Sequence, residues 1–117
     1  MFKSSVEVLG TIYSIEVKKY ADEPAFGKNG IDGYCEQGTH KIVVGDLHTF
    51  PGWEDESDKF IEAAMKHTLR HEINHCAMHE SGLHDSCSTY NGPWSRNESM
   101  IDFWAIQGPK ICKIVSK

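Results

Sequence analysis

The chain lacks any long apolar run. Its longest are a few residues, as in Ile42-Val43-Val44, far short of the roughly 20 that a membrane-spanning helix needs. Basic residues are also scarce. Twelve Lys and Arg face 17 Asp and Glu, for a net charge of −5, and no basic stripe is present. Nucleic acid and membrane surfaces are therefore excluded as expected partners. The start, Met1-Phe2-Lys3-Ser4-Ser5-Val6-Glu7, has neither the basic residues nor the apolar core of an export signal, which predicts a cytoplasmic protein. The four cysteines, Cys35, Cys76, Cys87 and Cys112, fall in no CxxC-type spacing. They are expected to be reduced thiols, with Cys76 packing as a small hydrophobe. His84-Asp85-Ser86-Cys87 has no partner pair at a matching spacing to build a second metal site. There is no internal repeat and no low-complexity segment.

What remains is an ordinary globular composition over 117 residues, 39% hydrophobic and 25% charged, which predicts a single domain over residues 1–117. The β-rich stretches Val6-Glu7-Val8 and Ile12-Tyr13-Ser14-Ile15-Glu16-Val17 flank Gly10 and predict a hairpin or two short strands. Residues 21–38 hold Pro24, four glycines, Asn29 and Asp32 and read as a loop. A third strand is expected at His40–Val44, stopped by Gly45, and Pro51-Gly52 marks a turn. A helix is predicted from about Asp55 to Glu80, with acids crowding its start and Gly82 as its cap. Residues 83–93 read as a loop. A second helix runs from about Trp94 to Gln107, stopped by Gly108-Pro109, with Ile111–Val115 as a last short strand or tail.

Histidine is the unusual abundance: seven in the chain, four of them in the window 67–79. Within it His71-Glu72-Ile73-Asn74-His75 forms HExxH. At 100° per residue, Phe60, Ile61, Ala64, Met65, Thr68, Glu72, His75 and Cys76 share one stripe with His71, the core-facing side. Glu62, Lys66, Arg70 and Glu80 fall opposite, together with Ile73 and Ala77. Two histidines and a glutamate thus point inward from an apolar face. Burying them without partners costs about 1–3 kcal/mol each, more for an ionised carboxylate. A hydrogen-bonded cluster is one solution; a divalent ion bound by imidazoles at i and i+4 is the other. His67 and His79 continue the spacing of four as surface or rim residues. His71 and His79 lie about 12 Å apart along a straight helix, so one ion cannot take the whole row and a third ligand must come from elsewhere.

The second helix offers that ligand. Position 78 is Met and position 81 is Ser, which excludes the extended HExxH form needing Gly and a third His there. The form that adds NExxxD downstream is present as Asn97-Glu98-Ser99-Met100-Ile101-Asp102. Trp94, Glu98, Ile101, Asp102 and Ala105 share one helical face, so two carboxylates sit together beside apolar neighbours. Like charges at i, i+4 repel, and a nearby cation reverses the sign. Glu98 is then the carboxylate ligand, and Asp102 accepts a hydrogen bond from the ring N–H of a ligating histidine and fixes its tautomer.

These two motifs, with Glu80-Ser81-Gly82-Leu83, Asp32-Gly33-Tyr34-Cys35 and Lys41-Ile42-Val43-Val44, resemble the small zincin-like metallopeptidases of the gluzincin type encoded by phages and prophages, over roughly residues 33–111. The resemblance implies an α+β fold, a minimal zincin-like domain with a small N-terminal sheet packed on an active-site helix and a glutamate helix. The host cell cytoplasm would then be its setting. One Zn²⁺ per chain is expected on His71, His75 and Glu98. Its open fourth position would take water, with Glu72 as general base. No Tyr or His follows Glu98, so His84 and Tyr90, between the helices, are the candidate donors to the oxyanion. A peptide or protein substrate is expected as an extended strand beside a sheet edge, for which Lys41–Val44 is the candidate, and an activating partner is compatible with so small a domain. The alternative is a non-catalytic zinc protein using the site as a structural staple or partner-binding surface. A purely structural site needs no acid–base glutamate and usually closes its fourth position with Cys or His.

Overall fold

The computed structural model describes residues 3–81 and 98–116. Strands β1 (Ser5–Val8) and β2 (Thr11–Lys18) form the expected hairpin. Its two-residue turn places both Leu9 (φ 48°) and Gly10 (φ 92°) in the left-handed region. That conformation matches the twist of the strands but suits glycine or asparagine, not leucine.

The expected loop 21–38 is more structured than its composition suggested. Helix α1 spans Pro24–Asn29, with Pro at its start, where the missing N–H costs nothing, and with Gly30 in the left-handed conformation at its end. Strand β3 follows at Gly33–Glu36, and β4 at Lys41–Gly45. The sheet order is β1-β2-β4-β3, with β2 and β4 parallel and the other pairs antiparallel. Ile42, Val43 and Val44 are all fully buried. Since successive side chains point to opposite faces, both faces of β4 are covered. β4 is therefore interior, and the Lys41–Val44 segment is not the edge expected of it; among the described residues β3 and β1 end the sheet. The four residues of β3 carry no apolar alternation, which hid the strand.

Helix α2 covers Asp58–Glu80. It starts later than Asp55 because the Ser57 hydroxyl accepts the Phe60 N–H at 3.2 Å, the capping geometry that fixes a helix start. Ile61, Met65, Thr68, Glu72 and Cys76 face the sheet as their spacing predicts. Phe60 departs from its stripe: it is 53% exposed and stacks on Trp53. Glu80 departs too. Rather than facing solvent, it accepts hydrogen bonds from Thr11 Oγ1 at 2.6 Å and Tyr13 Oη at 2.5 Å, tying the end of α2 to β2. Ile73 and Ala77 also pack against the core.

Gly33 sets how closely β3 and α2 approach. A Cβ there would lie 2.6 Å from Thr68 Cγ2 and 2.9 Å from the Val43 carbonyl oxygen. Helix α3 spans Glu98–Val115 and buries Ile101 and Ala105. It runs through Gly108-Pro109 instead of stopping at Gln107, so residues 111–115 are helical, neither strand nor tail. Pro109 has no N–H to give the Ala105 carbonyl and its ring crowds that carbonyl, yet the helix continues past it. Beyond it the ladder resumes, with Ser116 N–H donating to the Cys112 carbonyl at 3.0 Å. The architecture is α+β, a four-stranded mixed sheet packed against two longer helices. The expected cap Gly82, the loop 83–93 with His84 and Tyr90, and the helix start at Trp94 lie outside the described residues. No helix among the described residues is long and apolar enough to cross a membrane.

Candidate metal centre

His71 and His75 are one turn apart on α2, and their Nε2 atoms lie 3.2 Å from each other. Glu98, the first residue of α3, closes the triangle: Oε2 is 2.9 Å from His71 Nε2 and Oε1 is 3.1 Å from His75 Nε2. These three residues are the group that brings ligand atoms together closely enough for a metal ion among the described residues. Donors on a tetrahedral ion at zinc–ligand distances of about 2.0–2.1 Å are separated by about 3.3 Å. The two Nε2 atoms are within a few tenths of an ångström of that, one Glu98 oxygen lies near each, and one atom from each residue falls within 4.8 Å of the others, so the residues fit such an ion.

His71 Nδ1 lies 2.7 Å from Asp102 Oδ1. An ionised carboxylate only accepts, so Nδ1 donates to it, and a neutral ring in that tautomer would turn an Nε2 lone pair toward an ion held with His75 and Glu98. Asp102 is held ionised, its carboxyl below the usual range chiefly by that bond, with His67 assisting from 3.4 Å. His67 thus sits at the rim, against Asp102 rather than in the triangle. Desolvation lowers the basicity of His71. The bond to Asp102 and the charges of Glu72, Glu98 and Asp102 outweigh it, and the net shift is upward.

Glu72 is not a member of the triangle. It is buried, 7% exposed, and a Cβ on Gly33 would touch its Cγ at 3.7 Å. Burial, opposed by His71 and reinforced by Glu98 and Asp32, pushes its carboxyl up to about 7. Two hollows meet at this residue. One, of about 400 Å³, is bordered by Tyr34, Gln37, His75 and Glu98; the other, of about 310 Å³, by Asp32, His67, Thr68 and Asp102. Ile31, Gly33, His71 and Glu72 border both, so the start of β3 and the triad line one cleft.

Three contributors escaped the sequence reading. Asn74 Nδ2 donates to the Ile101 carbonyl at 3.1 Å, locking the register of α3 on α2; a polar residue inside HExxH gave no sign of that partner. Asp32 accepts the Thr68 hydroxyl at 3.1 Å and holds the strand entry against α2. Gly33 permits the approach, and only the close packing it allows could have flagged it. His84 and Tyr90 lie outside the described residues. Comparison with protein families, characterised proteins and solved structures returns no match for this chain.

Proposed function

We propose that the chain is a zinc-dependent metallopeptidase of the small zincin-like, gluzincin type, with His71, His75 and Glu98 as ligands. The observation that carries this reading is the placement of Glu72. It is buried next to the triad yet outside it, and it borders both hollows of the cleft. A staple needs the three ligands but has no use for a fourth acidic side chain held in that position.

A zinc ion held by these three residues would supply Lewis acidity and would lower the pKa of a bound water to about 7. The chain supplies the rest. Glu72 accepts a proton from the attacking water and returns it to the leaving amine. Asp102 holds the His71 ring in the tautomer and orientation the site needs. β3, the end strand of the sheet among the described residues, offers an edge on which an extended peptide would lie across the cleft. His84 and Tyr90 remain the proposed donors to the oxyanion, and a partner protein that completes the shallow cleft is part of the same reading.

The test pairs metal content with hydrolysis of a peptide library. His71→Ala, His75→Ala and Glu98→Ala lose the metal, whereas His67→Ala keeps it. Glu72→Gln keeps the metal and loses about 10²–10⁴-fold in rate. Hydrolysis surviving Glu72→Gln refutes the mechanism. Loss of metal on that substitution makes Glu72 a ligand and favours the staple.

A further inference from the structure

Neither Cys35 on β3 nor Cys76 on α2 belongs to the ligand triangle. The packing of the strand on the helix brings them together. A Cβ on Gly33 would meet Thr68 Cγ2 at 2.6 Å and Glu72 Cγ at 3.7 Å, so this face of β3 looks onto that stretch of α2. Cys35 is two residues further along the same strand face, about 6.7 Å on. Cys76 is four residues past Glu72 on the buried side of α2, about 6 Å on. Strand and helix run the same way here: the hollow bordered by Asp32 includes His67 and Thr68, and the hollow bordered by Cys35 includes His75. The two side chains therefore face each other, and their thiols are hydrogen-bond partners.

Their surroundings differ. Cys76 is fully buried, whereas Cys35 is half-buried and borders the hollow of about 400 Å³ beside the triad. A small solute entering the cleft reaches Cys35 and not Cys76. An accessible thiol backed by a sheltered second one is the arrangement in which a first oxidation product is resolved as a disulfide instead of advancing to sulfinic acid. Both cysteines are free thiols, as is Cys112, which is exposed on α3.

We propose that Cys35 and Cys76 form a peroxide-reactive dithiol that closes to an intrachain disulfide and pins β3 to α2 one residue from His75. The oxidant is hydrogen peroxide. The Cys35 sulfur attacks one peroxide oxygen, the O–O bond breaks, a sulfenic acid forms, and the departing oxygen leaves as water with the thiol proton. The Cys76 sulfur then attacks the Cys35 sulfur. The S–S bond forms, the S–O bond breaks, and the hydroxyl leaves as water with the Cys76 proton. Two electrons pass from the thiol pair to the peroxide, so two thiols and one peroxide become one disulfide and two waters. A small dithiol restores both thiols by exchange and is itself oxidised to its disulfide. The inference goes beyond the metallopeptidase reading and does not depend on it.

The experiment treats zinc-loaded protein with hydrogen peroxide, alkylates the remaining thiols, and maps the unreduced peptides by mass spectrometry. The expected major product is a linked Cys35–Cys76 peptide that a small dithiol removes. Cys76→Ser stops Cys35 at the sulfenic acid, which dimedone traps. Cys35→Ser leaves Cys76 an alkylatable thiol once the protein is unfolded, because peroxide does not reach it in the folded chain. The oxidised parent protein melts roughly 5 °C or more above the reduced one, because the cross-link restricts the unfolded chain. If a serine variant fails to fold, the linked peptide and the melting shift of the parent protein decide. Four results would each overturn the proposal. They are Cys35 and Cys76 still reduced after Cys112 is oxidised, Cys35 joined mainly to another cysteine, Cys76 oxidised in folded Cys35→Ser, and a melting temperature that oxidation leaves unchanged or lowers.

Discussion

Asp102→Asn separates the metal-centre reading from a chance meeting of histidines and acids. In the folded chain the Asp102 carboxylate accepts the His71 Nδ1 proton at 2.7 Å and is itself half exposed, at 49%. The substitution preserves shape but removes the charge. It also lets the amide present its NH₂ to the ring, which would favour the tautomer with the lone pair on Nδ1, away from the triad. Removing such a supporting carboxylate weakens metal affinity or activity by about 10–100-fold, which is about 1.4–2.8 kcal/mol. The exposure of Asp102 and the presence of His67 at 3.4 Å place the loss toward the lower half of that range, because water and a second imidazole screen the interaction.

The assay is competition for zinc with a chromophoric chelator at pH 7, on protein purified without a histidine tag. Asp102→Ala provides the upper bound, and His67→Ala reports how much of the effect passes through the second imidazole. Affinity unchanged within twofold in both Asp102 variants would refute the reasoning, because the triad would then assemble without help from the carboxylate. Asp102 would be a surface acid and the NExxxD pattern a coincidence.

Leu9→Asn should raise stability by about 1 kcal/mol in chemical denaturation, since Leu9 has φ 48° while 68% exposed, so the swap relieves a left-handed leucine and loses no packing; an unchanged or lower midpoint would show the turn to be unstrained. Gly33→Ala should destabilise by about 1–3 kcal/mol and weaken zinc binding, because its Cβ would meet Thr68 and the Val43 carbonyl; a neutral result in both measurements would contradict the close approach of β3 to α2. The Glu80 carboxyl is held below its usual range first by the Thr11 hydroxyl and then by Tyr13. Its stabilising effect is complete above the ordinary carboxylate range and is lost as pH falls through the depressed folded value, so the melting-temperature gap between the parent and Glu80→Gln should be present at pH 7 and close in acid; a gap independent of pH would refute the assignment.

The parts of this molecule legible in its sequence are those encoded by local periodicity. The stripe from Ile61 to Cys76 marks α2 and its buried side, and the i, i+4 spacings His71/His75 and Glu98/Asp102 put each pair on one helical face. What was hidden depended on partners far along the chain. β3 is four residues with glycine first, and its strand character comes from β4 and from the room Gly33 leaves for Thr68. The edge was therefore assigned to Lys41–Val44, whose apolar run in fact marks an interior strand. Glu80 reads as a solvent-facing acid by angle alone; only the hydroxyls of Thr11 and Tyr13 give it a buried purpose. Gly108-Pro109 reads as a stop because an interior proline removes a hydrogen bond and crowds the carbonyl four residues back, yet α3 continues past it.

The catalytic and structural readings of the ion are less opposed than they first look. α3 buries only Ile101 and Ala105, and its register on α2 rests on the Asn74–Ile101 hydrogen bond and the Asp102–His71 pair. Glu98, at its first residue, is two-thirds exposed, with a side-chain accessibility of 66%. Such a carboxylate gains little from an imidazole alone, because solvent screens the pair. An ion shared with His71 and His75 would fix the start of α3 against the middle of α2, and binding to the folded state alone adds stability that grows with ligand concentration. That contribution needs three protein ligands and leaves a fourth position free. Docking the glutamate helix through these three residues is therefore compatible with the proposed catalytic reading, in which Glu72, bordering both hollows beside them, would act as base.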